Sequence, residues 1–319
     1  MDLEFFNKHI LMPQVVVYKN MFEKKELNNF LSILKKYEND IKNFEKTSGN
    51  NLVSNNHGIN PIYIHENENP LKVWVPWYDY GKKTILTNKN MPEEIKNLDF
   101  KFLYEFKNKI LKIFNIIFQD YKNEWSNQSD WPNYLDDWNK LELGEIEILK
   151  HNIFLEREFI IEYHTDTPFA RLNEPGFIQF LTITFYINDN YQGGEIDFVS
   201  EKENKLITYK PQAGDVTVFP SGPPYWHAAK AAKGPENKFF IRVFMSFNNL
   251  GDSDWFKNIE KYGLEEWTEI NKERIKKELK NGMYSRQIIK EGFKKDNTIS
   301  AKPIYIKNED CIYIDGKNI

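Results

Sequence analysis

Phe177-Ile178-Gln179-Phe180-Leu181-Thr182-Ile183-Thr184-Phe185-Tyr186-Ile187-Asn188 reads as one strand of a sheet with two unlike faces. Successive side chains of a strand point to opposite sides. Here the odd positions Leu181, Ile183, Phe185 and Ile187 are apolar, whereas Thr182, Thr184 and Tyr186 are polar or amphipathic. The same alternation recurs between Lys238 and Phe247. Phe239, Ile241, Val243, Met245 and Phe247 share one face, and Lys238 and Arg242 share the other. The apolar face calls for a hydrophobic cover, and the mixed face can line a cavity.

Around these two strands, short apolar or alternating segments separated by Gly, Pro and Asn fill the stretch from Leu141 to Phe247. They are Glu145–Leu155, Glu158–His164, Gly194–Val199, Lys205–Tyr209, Asp215–Phe219 and Tyr225–Ala229. Eight closely spaced strands with turn signals predict a double-sheet jelly roll. Upstream, Met12–Tyr18 reads as a short buried strand, and a helix is predicted from about Glu23 to Phe44. Leu27, Phe30, Leu31, Leu34 and Tyr37 form its apolar stripe. Ser48–Asn60 reads as a loop. A second helix is predicted from Pro92 to about Tyr121, with Phe102, Leu103, Phe106, Ile110, Ile113, Phe114 and Ile117 along one side. Tyr121–Asn139, with Trp125, Trp131, Tyr134 and Trp138, reads as an ordered loop. Downstream, helices are expected over Asp254–Tyr262 and Leu264–Lys290. A tail hairpin is expected from Ile304–Lys307 and Cys311–Ile314. The expected fold is therefore α+β, mainly β. Residues 1–140 supply supporting helices that cover the apolar sheet face, 141–250 form the jelly-roll (double-stranded β-helix) core, and 251–319 form a helical extension ending in a hairpin. No repeat or low-complexity tract interrupts this plan.

With 319 residues, 40% of them hydrophobic, the chain can bury a large core. A net charge of −4 gives no overall electrostatic case for nucleic acid or a membrane surface. The single cysteine, Cys311, rules out an internal disulfide framework and a thiolate zinc site, which fits a reducing cytoplasmic setting. The N-terminus lacks the pattern of a signal peptide, and no apolar run approaches the roughly 18 residues of a membrane span. Heavy use of Lys, Asn and Ile points to an A+T-rich genome of viral or phage kind.

The chemistry-bearing constellation is His164-Thr165-Asp166 with His227 downstream. Residues two apart on a strand project from the same face, so His164 and Asp166 can reach one ion, with the third ligand expected from a facing strand. Two imidazoles and one carboxylate make the facial ligand set that suits Fe(II) and leaves coordination positions open.

Four further segments flank this set in a fixed order: Phe185–Asp189, then Gly193-Gly194-Glu195-Ile196-Asp197-Phe198, then Pro211–Ser221 before His227, and then Lys238 and Arg242 after it. Together they resemble the 2-oxoglutarate and Fe(II)-dependent oxygenases, in particular the prolyl 4-hydroxylase-like branch, over about Pro13 to Phe247. The resemblance implies that His164, Asp166 and His227 bind the iron and serve catalysis. It implies 2-oxoglutarate as cosubstrate, O2 as co-reactant and ascorbate as an accessory reductant. It also implies a basic residue on the last strand that pairs with the far carboxylate of 2-oxoglutarate. The family pattern of Gly-x-Arg or Gly-x-Lys before an aromatic is altered here to Gly234-Pro235-Glu236-Asn237-Lys238-Phe239, with extra residues in the turn. Lys238 fits by position. Arg242 offers a bidentate fork and lies between Ile241 and Val243, where a cation needs an anionic partner. Both stand as candidates. Tyr186 matches a family position whose hydroxyl helps hold the same carboxylate, and Thr184 shares its face. Arg171 reads as a solvated loop residue. Trp74, Trp77 and Tyr78 occupy a region where relatives carry a mobile substrate loop.

The implied activity is hydroxylation of an unactivated C–H bond, with succinate and CO2 as coproducts and a prolyl residue of a peptide or protein as the simplest substrate. The same chemistry on a free amino acid, another small molecule or a nucleobase is one alternative, since fold and triad do not choose a substrate. A non-catalytic jelly-roll binding or structural module is another, which an intact triad argues against.

Overall fold

The computed structural model describes residues 7–48, 59–61, 63–64, 73–74, 100–126, 142–151, 153, 155–166, 178–222, 224–247, 288–292, 294 and 303–319. Along the chain these form β1 (Lys8–Met12), β2 (Val15–Tyr18), α1 (Lys24–Ser48), β3 (Ile59–Pro61), β4 (Tyr63–Ile64), β5 (Val73–Trp74), α2 (Phe100–Trp125) and β6 (Glu142–His151). There follow β7 (Phe159–His164), β8 (Ile178–Tyr186), β9 (Tyr191–Gly193), β10 (Ile196–Ser200), β11 (Lys205–Lys210), β12 (Val216–Pro220), β13 (Trp226–Lys230), β14 (Ala232–Pro235) and β15 (Lys238–Phe247). The C-terminal part adds β16 (Ile288–Lys290), β17 (Ile304–Ile306) and β18 (Cys311–Asp315).

Two sheets dominate. The major sheet runs β1-β2-β12-β8-β15-β6-β3, every neighbouring pair antiparallel. The minor sheet runs β18-β11-β10-β13-β7, antiparallel except where β18 lies parallel to β11. They stack face to face. Leu11, Val15 and Val17 of the major sheet share a buried cluster with Ile196, Phe198, Ile207 and Tyr209 of the minor one. The Phe198 and Phe219 rings meet edge to face at 5.1 Å across the gap. This is the double-stranded β-helix expected from the strand pattern.

The alternation in β8 and β15 sets the layers. Leu181, Ile183, Phe185, Ile187, Phe239, Ile241, Val243 and Met245 face outward from the sandwich into one core. There they meet Leu27, Phe30 and Leu34 of α1 and Ile110, Ile113, Phe114, Ile117, Phe118, Tyr121 and Trp125 of α2. The helices therefore cover the apolar face of the major sheet, as its sequence requires. The opposite positions Thr182, Thr184, Tyr186, Lys238, Phe240 and Arg242 turn inward, toward the minor sheet. The outer face of the minor sheet has its own cover. Ile304 and Ile306 of β17 pack on Tyr163, Val199, Leu206, Trp226 and Ala228. Lys8 pairs with Asp120 and Glu124, and the Tyr18 hydroxyl donates to Asp120 at 2.7 Å, which pins α2 to the first two strands.

Several expectations need correction. The segment Met12–Tyr18 is not one strand. β1 and β2 form a hairpin across Pro13 and Gln14, where Pro presets the first turn position and Gln14 takes φ 66°. Ile59 and Asn60, read as loop, begin β3 and pair with β6. Tyr121–Trp125, also read as loop, completes the last turn of α2 because Tyr121 and Trp125 continue its buried stripe. Ile288–Lys290, placed at the end of a helix, is a strand parallel to β17. The tail is not a hairpin. β17 pairs with β16 and β18 pairs with β11, with a 3-10 turn at Asn308–Asp310 separating them. The predicted helix start at Pro92, the aromatic residues Trp74, Trp77 and Tyr78 as packing groups, the loop bearing Arg171, and the helices over 254–262 and 264–287 lie outside the described residues or side chains. Among the described residues no helix is long and apolar enough to cross a membrane.

Candidate active site

His164 is the last residue of β7, and Asp166 lies two residues beyond it. His227 sits on β13, the neighbouring strand of the same minor sheet, with its Cα directly opposite that of His164. The third member thus comes from a hydrogen-bonded neighbour rather than a facing strand. The ligand atoms of the three residues all lie within 4.8 Å of one another. His164 Nε2 is 3.6 Å from Asp166 Oδ1, and His227 Nε2 is 3.4 Å from Asp166 Oδ2. The two imidazoles are 4.4 Å apart between centroids, and the Phe219 ring backs His227 at 4.7 Å.

Both imidazoles are oriented from behind. His164 Nδ1 donates to the Glu162 carbonyl at 2.7 Å and His227 Nδ1 donates to the Tyr225 carbonyl at 3.2 Å. A carbonyl oxygen can only accept, so each Nδ1 carries a proton, and Nε2 is the nitrogen left facing the cluster. Burial holds the His227 pKa below its usual value, so this ring is neutral at neutral pH. Burial alone would raise the Asp166 pKa. The neighbouring imidazoles, His227 first, nevertheless hold it well below the usual carboxylate range. A carboxylate beside neutral Nε2 lone pairs is the protonation state a divalent metal needs. The donor set therefore fits Fe(II).

Asp166 is also tied to the major sheet. Thr182 Oγ1 donates to Asp166 Oδ2 at 2.6 Å, and Ser221 Oγ lies 2.8 Å from Thr182 Oγ1. Thr182 has one hydroxyl proton and gives it to a carboxylate that can only accept, so Ser221 is the donor to Thr182. Neither residue stood out in the sequence. The inward position of Thr182 was readable from the β8 alternation, but its partner was not.

From the triad a cavity runs between the sheets, with about 60 Å³ open to the centre of a water molecule. Leu149, Ile196, Phe219 and Phe240 line its apolar part, and Thr184, Tyr186, Lys238, Arg242 and His151 supply its polar groups. Register orders these along its length. Thr182, at the metal end, is opposite Phe244. Thr184 is opposite Arg242, and Tyr186 is opposite Phe240. Thr182 and Tyr186 are four residues apart, about 13 Å along a strand. Arg242 thus stands nearer the triad, half-buried, with its guanidinium 4.7 Å from the Phe244 ring centroid. Lys238 belongs to the far end and is 3% exposed. Its ammonium donates to the Gly194 carbonyl at 2.7 Å and lies 5.0 Å from the Tyr186 ring centroid. It makes no ion pair with any described residue. Burial lowers its pKa to about 7. The Tyr186 hydroxyl, buried beside it, lies 3.3 Å from Thr217 Oγ1. A buried ammonium with no ion-pair partner among the described residues, at the end of a cavity that opens on the His164–Asp166–His227 cluster, has the chemistry to pair with an anion.

Residues 134–246 match the family model of the 2OG-Fe(II) oxygenase superfamily. This span contains every residue of the triad and of the cavity lining named above. No curated protein matches the sequence. Among solved structures, the chain is similar to a prolyl hydroxylase from Trichoplax adhaerens in complex with a hypoxia inducible factor oxygen degradation domain peptide fragment. The identity is 15%, the coverage 73% of this chain and 84% of that one, and the TM-score 0.42. It is also similar to a prolyl-4-hydroxylase from Pseudomonas putida, at 11% identity, 74% and 94% coverage and TM-score 0.41. A viral collagen prolyl hydroxylase from Paramecium Bursaria Chlorella virus-1, in its 2OG complex, matches at 12% identity, 73% and 95% coverage and TM-score 0.39.

Proposed function

We propose that this protein uses Fe(II) and 2-oxoglutarate to hydroxylate an unactivated C–H bond, with a prolyl residue of a peptide or protein as substrate. The observation that carries the chemistry is the His164–Asp166–His227 cluster facing a cavity whose far end holds the unpaired, buried Lys238. The prolyl substrate rests on the order of motifs in the sequence, which resembles the prolyl 4-hydroxylase-like branch.

When bound, the iron and 2-oxoglutarate would supply O2 activation coupled to oxidative decarboxylation, giving succinate and CO2. The chain's own residues do the rest. His164, Asp166 and His227 hold the metal through Nε2 and carboxylate oxygens already turned toward one point. Lys238 binds the far carboxylate of the cosubstrate, with the Tyr186 hydroxyl beside it. Thr184 and Arg242 line the stretch between, and Arg242 stands nearer the metal. Leu149, Ile196, Phe219 and Phe240 give the cavity its apolar lining, and Phe219 backs His227 at the metal end. Ascorbate as accessory reductant and a cytoplasmic location are part of the same proposal.

The test is succinate formation by anaerobically prepared protein given Fe(II), 2-oxoglutarate and then O2, with Asp166→Ala as control. Succinate from the wild type alone, rising with a proline-rich peptide, is the expected outcome. Succinate that rises with free amino acids or nucleosides but not with peptides would move the substrate and leave the chemistry. A wild type that binds Fe(II) no better than Asp166→Ala would overturn the proposal and favour a binding module.

A further inference from the structure

His151 ends β6, and its Cα is directly opposite that of Lys238 on β15. Directly opposed residues of an antiparallel pair share a face, with their Cβ atoms roughly 5 Å apart. His151 therefore faces the same cavity as Lys238, and it lines that cavity. It is 2% exposed, and neither ring nitrogen has a hydrogen-bond partner among the described residues. Its ring packs edge-on against Phe240 at 4.7 Å between centroids. Burial, then the nearby charges of Lys238 and Arg242, hold its pKa well below the usual value, so the ring is neutral and keeps one N–H.

A buried imidazole with both nitrogens unpaired costs stability. Packing against Phe240 alone would be served better by Phe or Leu. The polar ring makes sense if something in the cavity accepts its proton. The acceptor has to be a group that tolerates two nearby cations, which is an anion. We propose that His151 is a cosubstrate-binding residue, whose imidazole N–H donates to the carboxylate that Lys238 holds at the far end of the cavity. This inference rests on the dioxygenase reading of the same site. It gives that carboxylate a neutral donor beside the ammonium, so the site fixes the carboxylate's direction as well as its charge.

The experiment is anaerobic calorimetry on the Mn(II)-loaded protein with two probes, 2-oxoglutarate and 2-oxovalerate. The second has the same chain length but lacks the far carboxylate. His151→Phe keeps the ring on Phe240 and removes both nitrogens. It is expected to weaken 2-oxoglutarate binding about tenfold, the loss of one hydrogen bond to a charged group. Binding of 2-oxovalerate and of Mn(II) should stay unchanged. His151→Gln, which restores a donor, should recover most of the affinity. Equal affinity of His151→Phe and wild type for 2-oxoglutarate overturns the inference. So does an equal loss for both probes, because the far carboxylate would then not be involved. If His151→Phe does not fold, imidazole ¹⁵N resonances of the Zn(II)-loaded wild type decide. The His151 signals shift on adding 2-oxoglutarate, or the inference fails. A wild type that binds Mn(II) but no 2-oxoglutarate would instead overturn the dioxygenase reading itself.

Discussion

Asp166 lies between two imidazoles and accepts a hydrogen bond from the Thr182 hydroxyl, and that bond presents its carboxylate in one orientation before any metal arrives. Thr182→Val keeps the shape and removes that hydroxyl. Metal affinity, read by Mn(II) titration, should fall about 10- to 100-fold, and Thr182→Ser should restore it. Lys238 gives a pH prediction. Its pKa in the folded, cosubstrate-free protein is about 7, below the ordinary 10.5 that the unfolded chain would show. Between those values the unfolded state holds the extra proton, so stability rises with pH. The melting temperature of the wild type should therefore gain on that of Lys238→Met from pH 7 to pH 9. A carboxylate ligand needs the ammonium, so 2-oxoglutarate should bind more weakly as pH rises above about 7. Calorimetry in buffers of different ionisation enthalpy should show proton uptake. Much of this scale could be read in the sequence and some could not. His164, Asp166 and His227 come together in space, and Lys238 and Arg242 share a face. Sequence reasoning weighted Arg242 as the buried cation because of its apolar neighbours, yet Lys238 is the deeper one. Its burial comes from β6 and from the Gly194 carbonyl, which only the register reveals. His151 was missed for the same reason. Nothing local to Lys150-His151-Asn152 marks it.

At the scale of elements, the strands whose alternation was clearest, β8 and β15, are the strands the fold is built around, and both helices cover the face that their apolar positions demanded. Ile117 of α2 is fully buried in that interface. Ile117→Ala should cost about 2–5 kcal/mol in denaturant unfolding, through lost burial and a residual cavity. The β9–β14 ribbon was not foreseen, although Gly193-Gly194 signalled a special backbone. Both glycines take positive φ, 64° and 68°. A Cβ on Gly193 would also overlap the Ala231 carbonyl. Gly193→Ala should therefore lower stability by about 1–3 kcal/mol from backbone strain, and further from the overlap. Comparing its melt with that of Gly234→Ala, where a Cβ meets nothing within 4 Å, isolates the effect. The tail strands were legible as strands but not in their pairing. Ile304-Tyr305-Ile306 alternates the same way whichever partner it takes, and the residues that Ile304 and Ile306 pack on, Tyr163, Val199, Leu206, Trp226 and Ala228, are all distant in the chain.

Across the whole molecule, three distant parts of the chain meet at one buried polar point. The Lys19 ammonium pairs with Asp215 at 2.9 Å and donates to the Gly316 carbonyl at 2.6 Å, with both side chains almost wholly excluded from water. The Tyr209 hydroxyl and the Gln212 amide also donate to Asp215. This joins the second strand of the major sheet, the loop before β12 and the turn that follows β18. Breaking such a pair from one side strands a buried charge, so Lys19→Met should cost about 3–5 kcal/mol in denaturant unfolding. Lys19→Met with Asp215→Asn should be less damaging than the single change. Sequence inspection could not find this cluster, because its members are 196 and 297 positions apart. The placement of the triad has a consequence of its own. β7 is the last strand of the minor sheet, and among the described residues it is hydrogen-bonded on one side only, to β13, through a ladder with irregular register. Under the proposed function, His164 at its tip and His227 on β13 would hold the same ion, which would then act as a rivet across this irregular seam. Such an ion would do mechanical work as well as chemical work, and stripping it should leave the amides of β7 the first in the core to exchange with solvent.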